Sequence, residues 1–278
     1  MNFSSEVISS RNNSFIKWVA SLNDKKNRNS EGYFMAEGVK LTCEAFEANL
    51  PVEFCIVNES KKNDIIEKIM PYFGEKYQKS CKVVIVTDSV FEKISTEKSP
   101  QGVISIVKHL DFFRKMNIIY KEEFFLEADE KAIFLCSIRD PSNLGSVIRS
   151  SVAFGTEHIV LSADCADIYN PKTVRSAMGS LYRVKVTTVG DTATFIAAAR
   201  ENGRRVFAAE LSDGAKTLSD VGLKGSDIVM IGNEGHGIPA EISSLCDGSI
   251  YIPISKKTES LNASVAAAIF MWEQSKNI

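Results

Sequence analysis

Residues 229–239 read VMIGNEGHGIP, a short apolar run that ends in three glycines, Gly232, Gly235 and Gly237, with Glu234 placed among them. Glycine allows the backbone to take a positive φ or to approach a ligand closely. In open α/β sheets, ligands bind beyond the carboxyl ends of the strands. The stretch therefore predicts a buried strand followed by either a structural turn or a ligand-binding loop.

Similar apolar runs recur through the second half of the chain, and helical segments lie between them. The runs lie at 132–137, 158–161, 184–186, 205–208, 228–231 and 250–254, and the helical segments include 146–154, 191–201 and 262–274. Strands that alternate with helices predict a mainly parallel sheet covered on both faces. The predicted fold class is α/β.

The first part of the chain predicts a smaller α/β/α domain over residues 1–110. Its helices are expected at 39–49, 64–70 and 89–94, and its strands at 53–57, 82–87 and 102–107. Residues 111–130, DFFRKMNIIYKEEFFLEADE, mix aromatic and acidic side chains, which indicates a packed connector and not a flexible linker. The larger domain then spans 131–278.

The composition is that of an ordinary globular protein. The 278 residues are 44% hydrophobic and 24% charged, which excludes collagen, coiled coil and long disorder. The net charge of −2 argues against a dedicated nucleic-acid binder, because such proteins usually carry a basic balance. The charge is uneven, however, because Arg11, Lys17, Lys25, Lys26 and Arg28 make the first segment locally basic.

Several other classes of site are not favoured. The six cysteines contain no C-x-x-C pair, and the three histidines are too few and scattered for a metal cluster. The amino terminus has no signal-peptide pattern, and the most apolar stretch, 265–272, is shorter than the roughly 20 residues of a membrane span. We expect a soluble cytoplasmic protein with no membrane segment and no metal.

Two further stretches follow predicted strands. Residues 139–155, RDPSNLGSVIRSSVAFG, are expected to make a tight turn at Pro141, Asn143 and Gly145 and then a helix that carries Arg149. They match neither the dinucleotide nor the phosphate-loop fingerprint. Their residues alone allow a plain turn with a solvated arginine.

The third stretch, residues 251–273, reads YIPISKKTESLNASVAAAIFMWE. Ser260 and Asn262 lie where a helix should begin, so either could be its N-cap. Capping and a functional role are both open for these two side chains.

Together, the three stretches resemble the SpoU (TrmH-type) branch of the SPOUT RNA methyltransferases. The resemblance rests on Asn143, Gly145, Arg149, Phe154 and Gly155, on Gly232, Glu234, Gly237 and Ile238, and on Ile252, Pro253, Ser260, Leu261, Asn262, Ser264 and Ala266. Residues 170–180, NPKTVRSAMGS, look like the family's segment between its first two motifs. Residues 1–110 are more loosely similar to the substrate-binding domain of rRNA-modifying members, through Gly32, Phe34, Glu37, Gly38, Gln101 and Gly102.

The resemblance implies a trefoil knot, S-adenosylmethionine as methyl donor, a ribose 2′-hydroxyl as acceptor, and a homodimer. The cofactor-binding residues it implies are Ile231, Gly232, Asn233, Glu234, Gly237, Ile252, Ile254, Ser260 and Leu261. The resemblance implies Arg149 as the base, but a guanidinium stays protonated in proteins, so the other reading is that Arg149 contacts the acceptor phosphate or hydroxyl and stabilises its developing negative charge. Asn143, Glu234, Ser260 and Asn262 are expected to orient Arg149 and the ribose by hydrogen bonds. RNA contacts are expected at Arg11, Lys17, Lys25, Lys26, Arg28, Lys172 and Arg175.

The sequence departs from the family pattern after Pro253. Many relatives have a methionine and a glycine there, whereas this chain has Ile254, Ser255, Lys256 and Lys257. Either the loop follows a different path, or the two lysines meet RNA phosphate.

Ribosomal RNA of the 23S type is the expected substrate, and transfer RNA is the main alternative. Two further readings stay open. One is a nucleotide-dependent α/β enzyme with the glycine loop on a phosphate, and the other is a non-catalytic RNA-binding protein of the same fold.

Overall fold

A computed structural model describes residues 2–3, 6–111 and 113–276; the ends of the expected domains at residues 1 and 278 lie outside these ranges. The chain forms two compact units. One comprises Met1–Leu110 with Asp167–Tyr182, and the other comprises Asp111–Ala166 with Arg183–Ile278. Residues 111–130 thus group with the second unit, and residues 167–182, expected in the larger domain, group with the first.

The helices and strands are as follows. The helices are α1 (Ser14–Ser21), α2 (Lys25–Glu31), α3 (Val39–Glu47), α4 (Lys62–Ile69), α5 (Glu75–Ser80), α6 (Asp88–Ile94), α7 (Pro141–Ala153), α8 (Pro171–Ala177), α9 (Thr192–Glu201), α10 (Leu218–Val221), α11 (Ala240–Ser243) and α12 (Ala263–Ser275). The strands are β1 (Asn2–Phe3), β2 (Tyr33–Glu37), β3 (Val52–Asn58), β4 (Lys82–Val86), β5 (Val103–Lys108), β6 (Phe113–Met116), β7 (Ala132–Leu135), β8 (His158–Ser162), β9 (Lys185–Val189), β10 (Val206–Ala209), β11 (Lys216–Thr217), β12 (Ile228–Ile231) and β13 (Gly248–Tyr251).

The first unit is built on a five-stranded mixed sheet in the order β1-β4-β3-β5-β2. The strands β1, β4 and β3 are parallel, and β5 is antiparallel to β3 and β2. Ile16 and Val19 of α1 and Val90 and Phe91 of α6 pack with Ile56 of the sheet in one buried core. This agrees with the small α/β/α architecture expected from the sequence.

A buried ion pair and aromatic stacking are among the contacts that hold residues 167–182 in the first unit. The Arg28 guanidinium is 1% exposed, lies 2.5 Å from Asp167 Oδ2, and donates to the carbonyls of Leu22 and Asn23. Tyr169 stacks on Phe34 at a ring separation of 4.7 Å. The expectation that Arg28 contacts RNA is therefore corrected, because its charge is buried against a carboxylate.

The second unit is built on an eight-stranded parallel sheet in the order β11-β13-β10-β12-β7-β8-β9-β6. Phe195 of α9 packs with Phe134 and Val160 on one face. Successive strand side chains point to opposite faces, so Ile133 and Ile159 point to the other face, where α7 and α12 contact each other and the sheet. The predicted two-faced parallel α/β sheet is confirmed.

Two predicted boundaries were wrong for identifiable reasons. Pro141, Asn143 and Gly145 were expected to form a turn, but they lie in the first turns of α7, because Asp140 caps the helix and proline suits its first position. The strand expected to reach Ile254 ends at Tyr251, two residues before Pro253, which has no N–H to donate to a strand ladder. Among the described residues, no helix is long and apolar enough to cross a membrane.

A buried polar cluster lies at the amino ends of β8 and β9. His158 is 3% exposed; its Nδ1 lies 3.2 Å from Glu130 Oε1 and its Nε2 lies 2.8 Å from Thr187 Oγ1. Burial lowers the pKa of His158 to about 4, although the neighbouring Glu130 acts in the opposite direction. Burial alone would raise the pKa of Glu130, but hydrogen bonds from Lys185 and the Glu127 amide outweigh it and hold that pKa below its ordinary value.

This cluster predicts a loss of stability in mild acid. In the unfolded chain His158 has an ordinary histidine pKa of about 6.5, so it is protonated below that pH. In the folded protein it stays neutral until the pH falls to about 4. The free energy of unfolding should therefore fall by up to about 3 kcal/mol between pH 6.5 and 4. In His158→Gln that part of the pH dependence should disappear, as measured by denaturant unfolding across this range. Equal pH dependence in both proteins would contradict the assignment.

Candidate functional site

A cleft of about 310 Å³ opens at the carboxyl ends of β10, β12 and β13 in the second unit. Each cofactor-binding residue expected from the resemblance lines it. These are Ile231, Gly232, Asn233, Glu234, Gly237, Ile252, Ile254, Ser260 and Leu261. The cleft thus gathers residues from the second and third sequence stretches.

The glycine loop after β12 closes on itself. The backbone groups of Asn233 and Gly237 bond to each other at 3.0 and 2.9 Å. A Cβ at Gly232 would lie 2.5 Å from the carbonyl carbon of Gly237, so only glycine permits this closure. Gly237 has φ +67°, in the region that favours glycine.

The side chain of Asn233 fixes this loop to the strand beside it. Its Oδ1 accepts from the amides of Gly235 and His236 at 2.9 and 3.2 Å. Its Nδ2 donates to the carbonyl of Ser137, two residues beyond the end of β7, at 2.8 Å. The loop is therefore positioned by hydrogen bonds from both ends of one amide.

A chain of three polar side chains joins the three sequence stretches. Asn262 Nδ2 donates to Asn143 Oδ1 at 3.0 Å, and Asn143 Nδ2 donates to Glu234 Oε1 at 2.5 Å. Asn143 is held in the first turn of α7, where its own backbone amide donates to the capping Asp140. The structure thus brings together three of the five residues expected to act in the chemistry.

Asn262 both caps a helix and contacts Asn143. Asn262 is the N-cap of α12, because its Oδ1 accepts from the Ser264 amide at 2.9 Å, and its Nδ2 is the group that reaches Asn143. Ser260 is not the cap. It lies in the loop before the helix, where its carbonyl accepts from Thr258 Oγ1.

Arg149 is not brought into contact with the other expected catalytic residues. It lies on α7, roughly 9 Å along the helix axis from Asn143. Its side chain is exposed, and no residue in the described ranges makes a hydrogen bond or ion pair with it. The next residue, Ser150, lines an apolar groove with Phe154, Val265 and Trp272.

The expected RNA-contacting cations have different surroundings. In the first unit Arg11, Lys17, Lys25 and Lys26 are exposed, and so is Lys172 on α8. Arg175 is partly occupied, since it pairs with Glu97 and donates to Thr96. In the second unit Lys256 and Lys257 are exposed in the loop beside the cleft.

The sequence analysis missed some residues that line the cleft, among them Glu210, Leu211, Tyr251 and Glu259. Glu210 and Leu211 directly follow β10. The rule that ligands bind at carboxyl ends of parallel strands could have drawn attention to them. For the residues that the structure describes, no group of three or more His, Cys, Asp or Glu side chains is placed to hold a metal ion.

Two family models match this chain, one in each part of the sequence. A model of the SpoU rRNA Methylase family matches residues 130–272, and a model of the MRM3-like substrate binding domain matches residues 13–105. The chain belongs to the SpoU rRNA methylase family. The family resemblance identified from the three sequence stretches is thereby confirmed.

Relatives within this family match along nearly the whole chain. The 23S rRNA (guanosine(2553)-2′-O)-methyltransferase of Bacillus subtilis is 27% identical over 95% of this chain and 97% of its own length. The 23S rRNA (uridine(2479)-2′-O)-methyltransferase of Streptomyces viridochromogenes is 26% identical over 96% and 90%. An AdoMet-bound rRNA methyltransferase from Sinorhizobium meliloti superposes with a TM-score of 0.79 at 26% identity, covering 98% of each chain.

The glycine loop allows a matched test of the site's construction. Gly232→Ala forces a Cβ into the backbone of Gly237, whereas the nearest atom to a Cβ at Gly235 is Asn233 Oδ1 at 3.6 Å, an ordinary contact. Gly232→Ala should lower the free energy of unfolding by about 1–3 kcal/mol, and Gly235→Ala should change it little. Denaturant unfolding measures both. Equal stability of the two variants would show that the loop closes differently.

Proposed function

We propose that the chain is an S-adenosylmethionine-dependent methyltransferase that methylates a ribose 2′-hydroxyl in 23S-type rRNA. The observation that carries the proposal is the hydrogen-bonded chain from Asn262 through Asn143 to Glu234, which joins three distant segments beside the cleft. Two 23S rRNA 2′-O-methyltransferases similar to this chain act on different nucleotides, so family membership fixes the reaction class and not the position.

The cleft suits the proposed cofactor. Its volume falls in the usual range for small-molecule sites, and Ile231, Ile252 and Leu261 offer apolar walls for a planar base. The backbone of Gly232 can approach a ligand without a side chain between them. S-adenosylmethionine would supply a methyl group on a positively charged sulfur, and a related SpoU enzyme has been solved with this molecule bound.

The proposed chemistry needs alignment and charge stabilisation. A ribose hydroxyl is a poor nucleophile until it is positioned and gives up its proton. Its oxygen would take the methyl group as the carbon–sulfur bond breaks, with S-adenosylhomocysteine as the leaving group and the proton passing to water. A guanidinium remains protonated in proteins, so Arg149 acts by contacting the acceptor and stabilising its developing negative charge. Asn143, Glu234, Ser260 and Asn262 orient the acceptor and the cofactor. No step in this scheme uses a metal, and unchanged turnover in a chelator would test that.

We extend the proposal to a homodimer formed over the groove between α7 and α12. Val265 is 47% and Trp272 is 51% exposed, and the Trp272 ring lies 5.8 Å from that of Phe154. Apolar side chains clustered in this way on a surface mark an interaction site. Arg149 precedes the groove residue Ser150, and no described residue makes a hydrogen bond or ion pair with it. If a second copy binds in the groove, Arg149 of one subunit can therefore contribute to the acceptor site of the other.

RNA binding is assigned to the first unit. Arg11, Lys17, Lys25 and Lys26 are exposed there, and the substrate-binding domain model covers the three lysines. Phosphate contacts by such side chains make affinity fall with salt. Undiminished RNA affinity in Lys25→Glu/Lys26→Glu would contradict this part of the proposal.

The trefoil knot also remains a proposal. Helix α12 follows β13 in the chain, yet it packs against α7 and β12, and β10 lies between β13 and β12 in the sheet. Residues 252–262 therefore cross the carboxyl ends of the strands near the glycine loop, as a threaded segment would. An experimental chain trace without a knot would refute it.

The proposed location is the cytoplasm, which cell fractionation would test.

The Arg149 side chain provides the main test of the reaction. Arg149→Ala should reduce methyl transfer from S-adenosylmethionine to unmethylated rRNA by at least about 100-fold, because charge stabilisation at the acceptor is lost. Arg149 is exposed, so circular dichroism and thermal unfolding should not change. The control is Arg114→Ala, an exposed arginine on β6, with normal turnover expected.

Mapping 2′-O-methyl groups in the product identifies the modified nucleotide. Methylation of tRNA but not rRNA would favour the alternative substrate. A wild-type protein that binds RNA but transfers no methyl group would favour the non-catalytic alternative. Near-normal turnover of Arg149→Ala would remove Arg149 from the chemistry.

The dimer has its own matched test. Val265→Glu places a charge in the proposed interface and should yield monomers in analytical ultracentrifugation, with methyl transfer lost. Ile118→Glu is the control, because Ile118 is equally exposed at 47% and lies elsewhere in the second unit. A monomeric wild-type protein, or a Val265→Glu variant that still dimerises, would contradict the proposed interface.

A further inference from the structure

Glu210 is a carboxylate held in a fixed orientation at the edge of the cleft. It directly follows β10, and its Oε1 accepts from Ser243 Oγ at 2.5 Å and from Ser249 Oγ at 2.8 Å. Ser243 lies on α11 and Ser249 on β13, so two separate elements fix one oxygen. Its own backbone amide donates to the Ile250 carbonyl at 3.0 Å, which fixes the main chain as well.

The second oxygen of Glu210 has no partner. Within residues 6–111 and 113–276, no lysine or arginine pairs with this carboxylate, and no group donates to its Oε2. The residue is half-buried and lines the cleft, and Oε2 is not enclosed by protein. A carboxylate beside apolar walls is stabilised when a donor reaches it. The unpaired oxygen is therefore available to accept a hydrogen bond from a ligand in the cleft.

The other carboxylates of the cleft are placed differently. Glu234 already accepts the amide of Asn143 at 2.5 Å. Glu259 is exposed in the loop between β13 and α12. Glu210 is distinct because it is fixed by two hydroxyl groups and still has an accepting oxygen available.

The position of Glu210 in the sheet points to the kind of donor. Strand β10 is the direct neighbour of β12, which carries the glycine loop. In dinucleotide-binding sheets, a glycine loop follows one strand and an acidic residue further along the chain accepts from ribose hydroxyls. Here the order along the chain is reversed, because Glu210 precedes the glycine loop. The acidic residue and the glycine loop nevertheless meet at the carboxyl ends of adjacent parallel strands.

We propose that Glu210 binds the ribose of the adenosyl cofactor, accepting a hydrogen bond from a ribose hydroxyl at Oε2. The inference rests on the proposed function, since it names a specificity-determining residue of the same site. Glu210 selects a ribonucleoside over its deoxy analogues. Ser243 and Ser249 are positioning residues, because they act on the ligand only through the carboxylate.

The test is calorimetric binding of S-adenosylhomocysteine and its 2′-deoxy and 3′-deoxy ribose analogues. Glu210→Gln keeps an oxygen to accept from Ser243 and Ser249 but replaces the free oxygen with an N–H₂ donor. The variant should bind S-adenosylhomocysteine about 10- to 100-fold more weakly than wild type. Wild type should lose a similar factor with one deoxy analogue, whereas Glu210→Gln should bind that analogue and the parent nearly equally.

Glu241→Gln is the matched control, because Glu241 is exposed on the same short helix as Ser243 and does not line the cleft. It should bind like wild type. If Glu210→Gln does not fold, the affinities of wild type for the three ligands still test the proposal. Equal affinity for S-adenosylhomocysteine and both deoxy analogues overturns it.

Unchanged affinity in Glu210→Gln, or an equal loss on deoxygenation in both proteins, also overturns the ribose assignment. Those results leave the proposed function standing as long as wild type binds S-adenosylhomocysteine. A wild-type protein that neither binds it nor transfers a methyl group overturns both.

Discussion

The cap that Asn262 makes on α12 sets the direction of every hydrogen bond in the polar chain of Asn262, Asn143 and Glu234. Asn262 must turn its oxygen toward the free amides at the start of α12, which leaves only its N–H₂ for Asn143. Asn143 then accepts with its oxygen and has only N–H groups left to donate to Glu234. A carboxylate can end such a chain because it only accepts. Helix capping at one end therefore determines which group is presented at the other.

The sheet places these hydrogen-bonded side chains at the carboxyl ends of its strands, beside the cleft. Strands β7, β12 and β10 are adjacent and parallel, so the segments that follow them emerge at one edge. Asn233 joins two of these segments by donating to Ser137 while accepting from its own loop. The glycine at 232 is then a steric requirement of loop closure, and the closed loop forms one wall of the cleft.

The sequence predicted the larger sheet well because buried parallel strands read as short apolar runs between helices. It could not show that β6 adds a strand from the expected connector, since Phe113–Met116 carries two cations and little apolar pattern. Motif order located Asn143, Glu234 and Asn262, whose contacts follow from strand topology. Arg28 was wrongly predicted to be exposed because its partner Asp167 lies 139 residues away in the sequence. The sequence alone does not distinguish a buried, paired arginine from an exposed one.

The Asp167–Tyr182 segment has a consequence for modularity. The chain enters the second unit at residue 111 and returns to the first unit for the sixteen residues 167–182, which supply Asp167 and Tyr169. It re-enters the second unit at residue 183. No single cut separates the two units. A fragment beginning at residue 111 would carry an aspartate without its arginine and an aromatic ring without Phe34. In such a chain the two halves cannot be exchanged independently by recombination, so they are expected to be inherited together.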